Sequence, residues 1–142
     1  MREILFKAKR KDDGKWIEGY YQKRYDLLGN EEHLIFHADS YKVWEYAEIV
    51  PETLCQFTGL TGKNGNKIWE NDILKTRSGE YAQVKFGFYG TGFASGDYNQ
   101  GFYAAFPEDF YYRHELGYWC KESYVIGNIF DNKELLQEES DE

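Results

Sequence analysis

Apolar and polar residues alternate along short runs in the first third of the chain, a pattern typical of β-strands. Residues 4–9 largely follow this period of two, which places successive side chains on opposite faces of a strand. The Asp13-Gly14 pair that follows is typical of a hairpin turn. Its returning strand, and two further apolar runs, are predicted at residues 16–21, 34–38 and 44–50. Residues 22–32 carry no decisive pattern, and Pro51 ends the region.

The second part of the chain, residues 52–142, shows a more regular succession of strand and turn signals. Its predicted strands, each bounded by turn residues, span 54–58 (ended by Gly59), 73–76, 81–86, 102–106 and 123–130. Asn64-Gly65 is the strongest turn signal between them. Asp131 and Glu134 have the spacing of a capping box, which predicts one short helix at the end of the chain. Residues 107–117 give no clear prediction.

These patterns together predict a mainly β protein (β-rich α+β). We expect a small SH3-like or partly open β-barrel with a short C-terminal helix over residues 52–142, and an N-terminal β lobe over residues 1–51. The two parts are expected to form a single compact unit. Composition supports this class, because aromatic residues make up 19% of the chain and favour pleated, half-buried surfaces.

The charge and the cysteine content limit the cellular compartments and the classes of partner that are expected for this protein. With 25 acidic and 17 basic residues, the net charge is −8, which argues against binding to a phosphate backbone. The five basic residues between Lys7 and Lys15 form at most a small local patch. The N-terminus lacks the apolar run of a signal peptide. We therefore expect a cytoplasmic protein, away from membranes, in which Cys55 and Cys120 are reduced and buried.

Residues with catalytic or metal-binding potential are few. Glu70 and Asp72 are two positions apart, so on a strand they would share one face, as an acid/base pair requires. The alternative is that these carboxylates accept backbone hydrogen bonds in a turn. His33 and His37 lie on a predicted strand about 13 Å apart, too far to share one zinc ion, and His114 is isolated. We expect no catalytic residue, cofactor or metal site.

Residues 87–101 are rich in glycine and aromatic side chains and are predicted to form a long loop. This segment lacks the Gly-Lys-Ser/Thr ending of a phosphate-binding loop. Tyrosine and phenylalanine provide broad contact area at low entropic cost. The residues predicted to bind a partner are Phe88, Tyr89, Phe93, Tyr98, Phe102 and Tyr103. The alternative is that these side chains are divided between the core and a partner subunit in an ordinary sheet.

Three motifs lie along the chain: the opening Arg2–Ala8, the central stretch from Gln56 to Leu74, and the ending Val125–Leu136. In this order they resemble the YopX-like family of phage and prophage proteins. Two positions depart from the family pattern: Lys9 stands where tryptophan is frequent and Asn71 where glycine is common. Since asparagine tolerates left-handed backbone, a turn at Asn71 can persist. The resemblance implies a phage-derived protein of the bacterial cytoplasm that forms homo-oligomers, without an established activity.

The sequence is therefore compatible with three functions. The leading one is a non-enzymatic accessory protein that self-assembles and binds a host or phage protein through aromatic side chains. The second is a nucleic-acid-associated small barrel, which would need a basic face despite the acidic total. The third is a hydrolase that uses Glu70 and Asp72, which would need a pocket containing both.

Overall fold

The chain divides into two compact units, Met1–Phe57 and Thr58–Glu142. Their architecture comes from a computed structural model that describes residues 4–38, 41, 43–90, 98–107 and 114–137. Pro51, where we predicted the boundary, begins a short 3-10 helix, Pro51–Thr53, within the first unit. Within the described residues, no helix is both long and apolar enough to cross a membrane.

The first unit is an antiparallel sheet. Its strands are β1 (Phe6–Lys9), β2 (Trp16–Tyr25), β3 (Glu31–Ala38), β4 (Trp44–Glu48) and the first residues of β5 (Cys55–Thr61). They are ordered β4-β3-β2-β1-β5. The ambiguous segment 22–32 proves to be the ends of β2 and β3 with a five-residue loop between them. The Asp26 carboxylate organises that loop by accepting backbone N–H bonds from Leu28 and Asn30 at 2.9 and 2.8 Å.

One face of this sheet carries the core of the first unit. Tyr21 lies opposite Ile35, which lies opposite Ala47, so residues of one parity on neighbouring strands meet on one face. The buried members of this cluster are Ala8, Ile17, Ile35, Ala47 and Ile49. Position 19, in the same region, requires glycine because a side chain there would collide with β3. An ideal Cβ at Gly19 would be 2.1 Å from the Phe36 carbonyl oxygen.

The second unit contains the end of β5 and a second antiparallel sheet. Its further elements are β6 (Lys67–Trp69), β7 (Asp72–Thr76), β8 (Tyr81–Gly90), β9 (Tyr98–Ala105), α1 (Leu116–Trp119), β10 (Ser123–Asn128) and α2 (Glu134–Gln137). The sheet order is β10-β7-β8-β9. Gly59 was expected to end a strand, but β5 continues through it with φ +85°. Glycine adopts this backbone without steric cost.

Helix α1 covers one face of the four-stranded sheet, although the sequence did not predict it. Leu116 and Cys120 pack with Leu74 and Val84, and Trp119 packs with Ala82 and Ala104, among other core residues. Four residues are too few to form a stable helix alone, so this packing must stabilise α1. The predicted mainly β class and the short C-terminal helix are confirmed, and the antiparallel sheet is consistent with the partly open barrel that we predicted.

Candidate interaction surface

The segment predicted as a long loop, residues 87–101, belongs largely to a β-hairpin. Residues 87–90 end β8 and residues 98–101 begin β9, and the two strands pair from Gln83–Ala105 to Gly90–Tyr98. The prediction failed because glycine interrupts the apolar alternation. Cross-strand pairing of the aromatic residues outweighs the low strand preference of glycine. Residues 91–97, including the predicted contact residue Phe93, lie outside the described residues.

The pairing divides the predicted contact residues between the two faces of the hairpin. Side chains alternate along a strand, and residues directly opposite each other share a face. One face, which we call the phenyl face, carries Phe86, Phe88, Tyr98 and Phe102. Tyr89 and Tyr103 lie on the opposite face. The sequence prediction included Phe88, Tyr98 and Phe102 but missed Phe86, although its even spacing from Phe88 places it on the same face.

The phenyl face begins beside the buried core of the second unit and extends from it toward solvent along the same side of the sheet. Val84 and Ala104, on the same face, are fully buried. Two residues further along β8, Phe86 is 53% exposed. Phe88 and Tyr98 are 72% and 66% exposed. Phe86 and Phe102 form an edge-to-face pair with centroids 5.0 Å apart, so the exposed rings continue from a packed base.

The opposite face has a structural role within the hairpin. Gly87 and Gly101 are paired directly opposite each other, and neither contributes a side chain. The rings of Tyr89 and Tyr103 stack with centroids 5.6 Å apart. Each ring lies 3.7 to 3.9 Å from the position where a glycine Cβ would be. Since aromatic rings placed over paired glycines restore lost packing, these two tyrosines hold the hairpin together.

Charged side chains are almost absent from this segment. From Phe86 to Pro107 the sequence contains one charged residue, Asp97, although 30% of the whole chain is charged. Depletion of charge together with enrichment of aromatic residues is the composition of the buried centre of protein interfaces. The hairpin thus has the chemistry of a contact surface.

The turn between β6 and β7 lies within the central sequence motif, Gln56 to Leu74. Asn71 has φ +71° and is the only described non-glycine residue with positive φ. Its side-chain Oδ1 accepts a hydrogen bond from Gln83 Nε2 at 3.2 Å. Its backbone N–H donates to the Val84 carbonyl at 2.8 Å, and its carbonyl accepts from the Ile129 N–H at 3.1 Å. The central and C-terminal motifs therefore meet at this turn.

Comparison with known protein families assigns the chain to a family. The model of the family described as "YopX protein" matches residues 5–137, which is nearly the full length. The chain belongs to the YopX family. A solved structure, described as the crystal structure of protein EF1440 from Enterococcus faecalis, is similar to this chain. It is 21% identical, with 96% of this chain and 99% of that chain covered and a TM-score of 0.48. A search of curated proteins gave no match.

In this YopX-family protein, Glu70 and Asp72 do not form the one-face pair considered above. Strand β6 ends at Trp69 and β7 begins at Asp72, so Glu70 lies in the intervening turn and strand alternation does not relate the two. Asp72 is only 2% exposed, and its Oδ2 accepts a hydrogen bond from the Trp69 N–H at 2.8 Å. A buried carboxylate that accepts a backbone bond supports the turn.

The histidines of the YopX-family chain make separate contacts. His33 Nδ1 lies 2.6 Å from the Tyr21 hydroxyl, and His33 Nε2 lies 3.0 Å from Glu31. His37 is 3.8 Å from a Glu45 oxygen, and His114 Nδ1 is 3.4 Å from a backbone carbonyl. In the parts of the chain that the structure describes, no three His, Cys, Asp or Glu side chains are arranged to hold a metal ion.

A shallow hollow of about 370 Å³ lies beside His33 in the first unit. Its lining includes Lys11, Glu31 and Glu48. A hydrogen bond from Lys23, followed by one from His33, lowers the pKa of Glu31 below its usual value. Lys11 pairs with Glu48 at 3.2 Å. These charged groups are engaged with one another, which is the pattern of a solvated sheet edge.

Proposed function

We propose that this YopX-family protein is a non-enzymatic accessory protein of phage origin that self-associates through the phenyl face. In this role it serves as a protein-binding module in the bacterial cytoplasm. The observation that carries the proposal is the continuation of the core of the second unit into a row of exposed rings. Phe86, Phe88 and Tyr98 are each more than half exposed, on the same face as fully buried Val84 and Ala104.

The size of the phenyl face supports an interaction role. At roughly 200 Å² for each aromatic side chain, the exposed fractions of Phe86, Phe88 and Tyr98 amount to about 400 Å². This area is within the roughly 300–600 Å² of the largest apolar patch on a typical monomer, and such patches are often functional. The tyrosine pair on the opposite face stiffens the hairpin. A stiff contact surface loses little conformational entropy on binding.

Charge favours a second copy of the chain as the partner. Two copies of a protein with net charge −8 repel each other wherever carboxylates face one another. Residues 86–90 and 98–102 contain no charged side chain, so copies can meet there without opposing like charges. The alternative functions have less support: Asp72 is buried and bonded within its turn, and the acidic total disfavours nucleic acid.

The test measures molar mass against concentration by size-exclusion chromatography with light scattering, from about 1 µM to about 1 mM. We expect the wild-type mass to rise above the 16.8 kDa of one chain. Phe88→Ser and Tyr98→Ser should remain near one chain mass at concentrations where the wild type assembles. Tyr25→Ser is the matched control, because Tyr25 is 63% exposed but lies in the other unit. A wild-type protein of one chain mass throughout, or equal assembly of all four proteins, would refute the proposal.

A further inference from the structure

The first unit has an exposed aromatic surface of its own. Tyr20, Phe36 and Tyr46 lie opposite one another on β2, β3 and β4 and form a row across three strands. Trp44 lies beside this row, with its ring centroid 5.9 Å from that of Tyr20. The Phe36 and Tyr46 centroids are 5.4 Å apart. We call these four residues the aromatic sheet face.

This aromatic sheet face is turned away from the core of its own unit. Ile35 and Ala47, the neighbours of Phe36 and Tyr46 along their strands, point to the opposite face and are buried there. Tyr20, Trp44 and Tyr46 are 52%, 59% and 57% exposed. At roughly 200 Å² per aromatic side chain, they present about 350 Å², which is close to the area of the phenyl face.

An arginine borders the aromatic sheet face. The Arg24 guanidinium lies 5.1 Å from the centroid of the Tyr46 ring and is paired with Glu32 at 2.8 Å. Arginine, tyrosine and tryptophan are the residues most often responsible for binding energy at protein interfaces. The aromatic sheet face therefore combines tyrosine and tryptophan rings with an arginine.

The net charge of the chain is unevenly divided between the two units. Residues 1–57 contain nine basic and eleven acidic residues, a net charge of −2. Residues 58–142 contain eight basic and fourteen acidic residues, a net charge of −6. Contact between the second units of two copies brings −6 toward −6, whereas contact of a second unit with the first unit of another copy brings −6 toward −2. Coulomb repulsion scales with the product of the charges, so among contacts that use the phenyl face the mixed contact is about three times less repulsive than the contact of two second units.

From these observations we infer that the phenyl face of one copy docks on the aromatic sheet face of another copy, in a head-to-tail contact. This inference rests on the proposed self-association and names its acceptor surface. Face-to-face packing of two-stranded and three-stranded antiparallel segments is the ordinary geometry of stacked sheets. The rings exposed on both faces sum to about 750 Å², which is below the roughly 1,200 Å² of standard specific interfaces and indicates a weak, transient contact. Assembly should therefore appear only toward the upper end of the concentration range tested.

A head-to-tail contact uses two different surfaces, so every chain both gives and accepts one contact. A variant that has lost either surface cannot assemble with itself. Two variants that have lost different surfaces can still form one contact with each other. A contact between two phenyl faces lacks this property, because it needs an intact hairpin on both chains. Mixing of variants therefore distinguishes the two arrangements.

The experiment compares Phe88→Ser, Trp44→Ser and their equimolar mixture by light scattering at a concentration where the wild type assembles. We expect each variant alone to remain at one chain mass, and the mixture to give a two-chain species, about twice 16.8 kDa. Tyr20→Ser serves as a second variant of the aromatic sheet face, and circular dichroism confirms that each variant is folded. Tyr25→Ser should assemble as the wild type does.

Different results separate the failure of this inference from failure of the proposed function. If Trp44→Ser and Tyr20→Ser assemble as the wild type does while Phe88→Ser does not, the phenyl face is a contact but the aromatic sheet face is not its acceptor. The same conclusion follows if the mixture contains only single chains. If the wild type itself stays at one chain mass, the proposed self-association is refuted.

Discussion

The turn at Asn71 allows a quantitative test of how a single residue supports this fold. Replacing Asn71 by alanine removes the hydrogen bond between its Oδ1 and Gln83 Nε2, a loss of about 1 kcal/mol. It also puts alanine at φ +71°, a left-handed backbone that costs an ordinary L-residue roughly 1–2 kcal/mol and that asparagine tolerates better. We therefore expect Asn71→Ala to lower the free energy of unfolding by about 2.5 kcal/mol.

Replacing Asn71 by glycine separates the two contributions. Asn71→Gly loses the same hydrogen bond but adopts the left-handed backbone without steric cost. Glycine also gives the unfolded chain more freedom, which costs roughly 0.5–1 kcal/mol. The expected loss is about 1.5 kcal/mol, so alanine should be about 1 kcal/mol worse than glycine. Gln83→Ala removes the hydrogen bond alone and should cost about 1 kcal/mol.

The assay is urea unfolding followed by far-UV circular dichroism and by tryptophan fluorescence, because coincident curves show that the transition is two-state. Trp69, which is 5% exposed and precedes Asn71 by two residues, makes fluorescence sensitive to this region. The backbone argument predicts the order wild type, Gln83→Ala, Asn71→Gly, Asn71→Ala. Equal free energies of unfolding for Asn71→Ala and Asn71→Gly would show that left-handed backbone strain does not decide this position.

Three further predictions concern stability elsewhere in the chain. The Ser123 hydroxyl is fully buried without a hydrogen-bond partner among the described residues, so Ser123→Ala should raise the free energy of unfolding by about 1 kcal/mol; a clear loss in urea unfolding would contradict this. A Cβ at Gly19 would lie 2.1 Å from the Phe36 carbonyl oxygen, so Gly19→Ala should cost about 3 kcal/mol; near-wild-type unfolding would show that β2 moves freely there. A backbone hydrogen bond from Asn30, the largest of several causes, lowers the pKa of Asp26. The ionised carboxylate should therefore stabilise the loop at neutral pH, and this stabilisation should be lost as the pH falls through the lowered pKa. An NMR titration of the Asp26 carboxyl carbon measures this pKa, and a midpoint at the ordinary value for aspartate would contradict the prediction.

Local signals predicted the fold where they were strong and failed where long-range pairing decided. The Asp13-Gly14 turn lies between β1 and β2, as its dipeptide predicts. Asn71 adopts the left-handed conformation for which asparagine has a known tolerance. Helix α1 was missed because its four residues have little helical preference of their own and form through burial of Leu116 and Trp119 against the sheet.

The candidate contact surface was only half predictable for a related reason. The sequence indicated a Gly- and aromatic-rich segment near residues 87–101, but treated its aromatic side chains as one set. Whether Phe88 and Tyr89 share a face depends on the segment being a strand. Which residues of β9 join Phe88 on its face depends on the register that pairs Phe86 with Phe102. Register is fixed by the partner strand, about which the segment itself carries no information.

The sequence by itself determined the β-rich class, the main turns, the YopX resemblance and the aromatic, charge-poor composition of residues 86–107. These properties are local, since each is encoded in neighbouring side chains and their period. Only the tertiary structure decided that Asp72 supports a turn, that Tyr89 and Tyr103 cover a glycine pair, and that Tyr98 and Phe102 join Phe88 on the phenyl face. Burial and pairing arise between residues distant in sequence, and they determine whether a side chain is part of the core or free to bind a partner.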